Sequence, residues 1–236
     1  MGLKIYNTLT RKIENFKPLK DKEVKLFVCG PTVYDFIHIG NAKTFVQFDI
    51  IVKYLRYRGY KVFYIQNITD IDDKIIKKAN EEKVDWKVIS SKYEKAFLED
   101  VKSLGITSVD KFPRATDYIK EIVSQVKRLI EKGFAYKISD GYYFDLSKFK
   151  EYGKLAKRTT AEGEDAVSRV DENTEKRNKG DFCLLKFSKE GEPFWEDVLE
   201  LEVSNEEYER RVKEAIEKDD KEFLKLNNIN KTKWKK

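Results

Sequence analysis

Between residues 24 and 65 the chain reads strand, loop, helix, strand, and that order most limits the fold it can take. Residues 24–29 form an apolar run broken only by Lys25 and closed by the turn pair Gly30-Pro31, the pattern of a strand buried in a parallel sheet. Residues 40–57 then carry Phe45, Phe48, Ile51, Val52 and Leu55, mostly three and four apart. That spacing gathers them on one face of an amphipathic helix, which Gly59 ends. Residues 61–65 make a second strand. The order predicts an α/β sheet with a right-handed crossover.

Helical segments follow at 70–79, 86–104 and 115–131. Strands at 134–138 and 142–145 predict a hairpin around Ser139-Asp140-Gly141. Residues 162–179 are polar, charged and free of aromatics, the composition of an exposed loop or flexible insertion. Strand character returns at 182–187, and Ser204 with Glu207 resembles a capping box. Tyr208, Val212, Ile216, Phe223 and Leu226 then mark one face of a long helix, and residues 225–236 hold five lysines and no acid.

Composition removes several classes. The 236 residues are 40% hydrophobic, enough for a packed core. Charged residues make up 38%, against roughly 25% in ordinary soluble domains. Yet 48 bases and 42 acids leave a net charge of only +6, which permits a nucleic-acid or nucleotide partner without requiring one. The longest uncharged apolar stretch begins at Leu26 and stops at Asp35, far short of the roughly 18–20 residues of a membrane helix. The first residues show no signal-peptide core, and Tyr6 stands where myristoylation of Gly2 calls for Ser or Thr. Two cysteines, Cys29 and Cys183, cannot build a disulfide framework. The expectation is a soluble, cytoplasmic chain with no membrane partner.

The residues able to carry chemistry gather where the strands end. His38, the only histidine, lies between the first strand and the first helix. Ligands of open α/β sheets bind beyond the carboxyl ends of the strands, and a helix N-terminus there offers free N–H groups to an anion. Gly40 allows close approach of backbone to a phosphate, so a phosphate-binding loop with His38 as donor is physically sensible. The spacing is neither a dinucleotide fingerprint nor a Walker loop. Cys29 closes the first strand at the same rim, where a packed small hydrophobe, a metal ligand and a nucleophile are all open readings. Cys183 sits in an apolar strand and reads as core. Asp70, Asp72 and Asp73 follow the second strand; binding Mg²⁺, holding a substrate amine and capping the next helix are the uses open to them.

These pieces resemble cysteinyl-tRNA synthetase, a class I aminoacyl-tRNA synthetase. The matching stretches are Phe27-Val28-Cys29-Gly30-Pro31-Thr32-Val33-Tyr34-Asp35, His38-Ile39-Gly40-Asn41 and Asn67-Ile68-Thr69-Asp70-Ile71-Asp72-Asp73-Lys74-Ile75. Pro113-Arg114-Ala115-Thr116, Tyr143-Phe144-Asp145, Tyr152-Gly153-Lys154-Leu155, Lys176-Arg177-Asn178 through Asp181-Phe182, and Glu192-Pro193-Phe194-Trp195-Glu196 extend the resemblance. The related cysteine ligase of mycothiol synthesis shares parts of this pattern and fits less well. The resemblance implies the N-terminal half of a class I synthetase-type Rossmann (HUP-like) parallel sheet, with a helical and hairpin insertion and a C-terminal helix. It divides the chain into a nucleotide-binding part at 1–110, a connective insertion at 111–197 and a divergent, lysine-ended tail at 198–236.

The same resemblance implies a chemistry. The family joins cysteine to tRNA(Cys) through a cysteinyl-adenylate made from ATP with Mg²⁺. His38, Ile39, Gly40 and Asn41 would form the ATP-binding HIGH motif, with His38 and Asn41 in its catalytic positions. Asn41 stands where the family has a second histidine, keeping hydrogen-bonding ability and losing the option of positive charge. Gly30, Thr32 and Thr69 match positions lining the substrate pocket. Cys29 matches one ligand of a Zn²⁺ that holds the substrate thiolate. The family's other zinc ligands come from later histidine-bearing segments, and its KMSKS loop follows; this sequence has neither. A separately encoded C-terminal half, a truncated paralogue that binds ATP, adenylate or tRNA without catalysis, and a degenerate fragment with a structural role or none are the three ways to accommodate that departure.

Overall fold

The computed structural model describes residues 2–155, 157, 173–189, 191–195 and 214. They belong to two compact units, Met1–Tyr118 and Ile119–Lys236.

The first unit opens with an antiparallel hairpin, β1 (Lys4–Asn7) against β2 (Lys12–Asn15). The sequence pattern does not announce it, because the turn holds no glycine and the strands are largely exposed. Asn7 builds the turn instead. Its side chain accepts the Leu9 N–H at 2.9 Å, its carbonyl accepts the Arg11 N–H at 2.8 Å, and Arg11 takes the left-handed conformation at φ 59°.

The strand–helix–strand unit follows as predicted: β3 (Glu23–Val28), α1 (Ile39–Tyr57) and β4 (Lys61–Gln66). The two strands pair in parallel, from Glu23 opposite Lys61 to Val28 opposite Gln66. Alternate residues face α1, so that Val24, Leu26 and Val28 with Val62 and Tyr64 pack around Val52 and Leu55. Each such side chain contributes about 1.5–3 kcal/mol on full burial. Gly59, at φ 82°, lets the chain leave α1 and turn into β4. On the opposite face of the pair, Phe27 is 64% and Phe63 46% exposed, with Lys25 and Lys61 beside them in the alternation. Parallel sheets are ordinarily covered on both faces, so this face is where a further layer belongs.

A stretch at 110–114 runs parallel beside β4. The Asp110 N–H donates to the Tyr64 carbonyl at 2.9 Å, the Gln66 N–H to Lys111 at 3.1 Å, and the Ile68 N–H to Pro113 at 2.8 Å. Pro113 has no N–H to give, but only its carbonyl is needed here. Helices α2 (Asp73–Glu82) and α3 (Trp86–Ser103) close a second core of Ile75, Ala79, Ile89, Tyr93, Phe97 and Val101 around Phe45 and Ile68. Each helix starts behind an aspartate whose side chain accepts an orphan N–H: Asp72 from Lys74 and Asp85 from Lys87.

Asp49 is the polar anchor of this unit. It is buried midway along α1 and accepts the N–H groups of Thr107 at 3.0 Å and Ser108 at 2.8 Å, with Lys53 Nζ 2.6 Å away. Burial pushes its carboxyl up, but the hydrogen bonds from Lys53, Ser108 and Thr107 outweigh it and hold the group below its ordinary 3.8. Asp49→Ala is expected to cost about 2–3 kcal/mol in urea denaturation at pH 7, since it strands two backbone donors. Because the folded-state value is depressed, that contribution is present above the ordinary carboxylate range and fades as pH falls through the folded-state value. A difference between the two proteins that does not shrink on acidification would contradict this account.

In the second unit, α4 (Ile119–Glu131) buries Ile119, Val123 and Val126. The helix predicted from residue 115 starts later, because Ala115–Tyr118 is a separate 3-10 turn. Strands β5 (Ala135–Ile138), β6 (Gly141–Phe144) and β7 (Phe182–Lys186) form an antiparallel sheet in that order. The hairpin about residues 139–140 is the predicted one. Phe144 stacks on Phe134 and Phe182, with centroids 6.1 and 5.3 Å apart. Residues 173–179 end the stretch read as exposed loop, yet they are tied down: Glu175 accepts from Ser139 N–H and Oγ–H at 3.0 and 2.8 Å. The predicted helix over 204–226, apart from Glu214, and the lysine-rich end lie outside the described residues. Among the described residues no helix is long and apolar enough to cross a membrane.

Candidate active-site rim

Beyond the carboxyl ends of β3 and β4 the two segments that leave them are laced together. Gly30 N–H donates to Asn67 Oδ1 at 2.9 Å, and Asn67 Nδ2 donates to Thr69 Oγ1 at 3.3 Å. Thr69 N–H reaches the Pro31 carbonyl at 3.0 Å, and Val33 N–H the Thr69 carbonyl at 3.1 Å, placing Thr32 opposite Thr69. The closeness at Gly30 is extreme: a Cβ there would lie 1.7 Å from the Asn67 carbonyl oxygen. Gly30, Thr32 and Thr69, pocket positions by resemblance, and Cys29, a zinc ligand by resemblance, therefore share one rim. Gly30, Thr32 and Thr69 are half-buried, and the Cys29 thiol is exposed, 3.7 Å from the Gly30 carbonyl oxygen.

His38 caps α1. Its Nδ1 accepts the Gly40 N–H at 3.1 Å, while its own N–H donates to Asn41 Oδ1 at 3.3 Å. A nitrogen that accepts from a backbone N–H carries no proton, so the imidazole N–H sits on Nε2 and is the donor this exposed ring has for a ligand. Asn41, in the place of a second histidine, is engaged by its carbonyl in holding His38. Ile39 and Gly40 are exposed on the first turn, and a Cβ on Gly40 would lie 3.3 Å from His38 Nδ1. The four residues thus stand together at the N-terminus of a 19-residue helix, where the helix dipole favours an anion, while the N–H groups of Gly40, Asn41 and Ala42 are already accepted by His38.

The loop between rim and helix is braced from α2 and α3. Lys78 Nζ lies 3.6 Å from Asp35 and 4.3 Å above the Tyr93 ring, Lys74 stands 5.1 Å over Tyr34, and Phe36 meets Tyr93 edge-on at 5.3 Å. The aspartates after β4 turn out to do structural work. Asp70 is buried and accepts from the Thr116 N–H at 3.1 Å and from its hydroxyl, Asp72 caps α2, and Asp73 opens its first turn. The Pro113–Thr116 motif is likewise a seam. Arg114 Nε reaches both carboxylate oxygens of Glu94 at 2.9 Å while Thr116 holds Asp70. What sequence reasoning missed is Asn67, which bridges two pocket positions; a polar residue directly after an apolar strand was the available signal.

Residues 15–218 match the family model of the tRNA synthetases class I (C) catalytic domain. The chain belongs to that family. The match continues past residue 198 into the stretch read as a divergent tail. The cysteine–tRNA ligase of Thermococcus kodakarensis is 52% identical over 198 residues, covering 83% of this chain and 41% of its relative. That of Methanococcus maripaludis is 52% identical over 196 residues, covering 82% and 40%. The chain thus spans about two fifths of the length of the relatives it matches. Mycobacterium tuberculosis methionyl-tRNA synthetase in complex with methionyl-adenylate gives a TM-score of 0.47 at 19% identity over 53% of this chain and 25% of that one, too slight to extend the comparison.

Among the described residues the donors of a zinc site are not assembled. Zinc sites need several N, S or O donors converging at about 2.0–2.3 Å. Among the described residues no group of three His, Cys, Asp or Glu side chains gathers to hold a metal. His38 Nδ1 is taken by the cap of α1, leaving Cys29 as the thiol at the rim.

Proposed function

We propose that the chain carries the cysteine-activating half-site of a cysteinyl-tRNA synthetase. The supporting observation is the pairing of two features on one connection: a capped helix N-terminus suited to phosphate, and a laced strand rim beside it suited to a small amino acid. In this reading ATP binds with Mg²⁺ as substrate, its phosphates against the first turn of α1 and the Nε2–H of His38. Cysteine lies at the rim over Gly30, Thr32 and Thr69. Its carboxylate oxygen attacks the α-phosphorus, the bond to the bridging oxygen breaks, and pyrophosphate leaves with the electron pair, giving cysteinyl-adenylate. Oriented donors strengthen as charge grows on the phosphoryl oxygens, which is how such a helix terminus lowers a barrier. Transfer to tRNA(Cys) in the cytoplasm completes the reaction.

Completion needs more polypeptide than the described residues supply. The exposed Phe27 and Phe63 face of the parallel pair favours a further layer, contributed by the remainder of the synthetase, including a separately encoded C-terminal half. A truncated paralogue that holds ATP, adenylate or tRNA without catalysis is the second reading, favoured by the unassembled metal donors. Cysteine-dependent ATP–pyrophosphate exchange on the purified chain separates them, with serine as control and with zinc added or withheld. We expect weak exchange specific to cysteine, falling about 10²-fold or more in His38→Ala, and no charging of tRNA(Cys) by the chain alone. Robust charging by the isolated chain would defeat the half-site reading, and a folded chain with no exchange would leave the non-catalytic one.

A further inference from the structure

We propose that Asn67 is a positioning residue that fixes the Thr69 hydroxyl with its proton turned toward the ligand, so that the rim offers a hydrogen-bond donor at that point. The inference rests on the proposed function and extends it to the chemistry of one contact. A backbone N–H can only donate, so the side-chain atom 2.9 Å from Gly30 N must be the carbonyl oxygen of Asn67. The amide is thereby oriented without ambiguity, and its other end, 3.3 Å from Thr69 Oγ1, is the NH₂ group. That group can only donate, so Thr69 Oγ1 is the acceptor in this contact. The hydroxyl proton of Thr69 must then be directed elsewhere, and no described residue accepts it.

The consequences for recognition follow from this chain of donors. Gly30 N–H is consumed by Asn67 and is not a ligand donor; Gly30 serves by letting the strand ends approach. Thr69 is half-buried at the rim, and its backbone is held on both sides, N–H to Pro31 and carbonyl from Val33. The hydroxyl is therefore pre-oriented before any ligand arrives, and pre-orientation spares the ordering cost that a free rotor would incur on binding. A carboxylate or phosphoryl oxygen satisfies the projecting proton.

The test is a double-mutant cycle on the full chain, read by calorimetric affinity for a non-hydrolysable cysteinyl-sulfamoyl-adenosine. Asn67→Asp keeps an acceptor for Gly30 N–H but has no donor, so the Thr69 proton turns inward to the carboxylate. Thr69→Val removes the hydroxyl outright. Each single variant should weaken binding about three- to tenfold, the range of one hydrogen bond. The combined variant should be weaker than Thr69→Val only by the effect of the added charge, giving strong non-additivity. Melting of Thr69→Val within a few degrees of wild type, with the same loss of affinity, separates this from a merely structural role. Fully additive losses, or an Asn67→Asp affinity equal to wild type, would overturn the inference while leaving the functional reading intact. A wild-type chain that does not bind the analogue would overturn both.

Discussion

Replacing Gly30 by alanine should destabilise the first unit more than any other single methyl addition at the rim. The new Cβ would lie 1.7 Å from the Asn67 carbonyl oxygen and 2.9 Å from its carbon. Neither atom is the end of a flexible side chain; both are backbone, in the segment that carries Thr69. To admit the methyl, the ends of β3 and β4 must separate by more than an ångström. That would break the Gly30–Asn67 bond at 2.9 Å and the Thr69–Pro31 bond at 3.0 Å. Overpacking of this severity reaches about 3 kcal/mol or more, equivalent to roughly 6–12 °C in Tm for a chain of this size. Gly59→Ala is the useful comparison. A Cβ there meets nothing within 4 Å, and only the left-handed φ of 82° resists it, a penalty of about 1 kcal/mol. Thermal denaturation of the two variants decides the matter: equal losses would mean that the close approach at the rim relaxes easily. Ligand affinity should fall with stability in Gly30→Ala and be unchanged in Gly59→Ala.

That rim was partly legible in the sequence. A continuous apolar run located β3 and a three-and-four spacing located α1, because burial is what such patterns record; β3 nevertheless buries only alternate residues. Cys29 could be placed at the rim because it closes an apolar strand, whereas Gly30, Thr32 and Thr69 were placed beside it by the resemblance to the synthetases. The stretch at 110–114 was not legible, since its pairing with β4 is made by backbone groups that any residue carries. Helix α2 begins at Asp73 and not at Asp70 because Asp72, in extended backbone, caps it, and Asp70 is instead held by Thr116, 46 positions away in sequence. Spacing along the chain cannot show such a partner. The same reason hid the part played by Asn67. Its neighbours in space, Gly30 and Thr69, belong to different strand ends, and the motif that contains it reads the same whether its amide faces ligand or protein.

The second unit makes the parallel case for Asp181, from a motif that resembles the synthetase family yet serves packing. Asp181 is 2% exposed. Its carboxylate accepts from the Tyr136 hydroxyl at 2.6 Å, from Leu146 N–H at 2.9 Å and from Asn178 N–H at 3.0 Å, with the Asn178 amide at 3.1 Å. The Tyr136 oxygen in turn accepts the Arg177 N–H at 2.9 Å, and the Arg177 guanidinium lies 4.2 Å over the Tyr136 ring. One carboxylate thus joins β5, the turn after β6 and the approach to β7. Asp181→Ala leaves a hydroxyl and two backbone N–H groups buried without acceptors, and we expect a loss of about 3–5 kcal/mol in denaturant unfolding. Asp181→Asn retains one carbonyl acceptor and should lose about half as much. Burial, followed by the bond to Asp181, pushes Tyr136 up to about 12 from 10. A raised folded-state value means a stabilisation complete below the ordinary value and lost as pH climbs through about 10 to 12. The Asp181→Ala variant should therefore show less of that alkaline loss, because one of the causes of the shift is gone. A variant within about 1 kcal/mol of wild type would show that water replaces the carboxylate, and the network would then be a consequence of the sheet and not a cause of it.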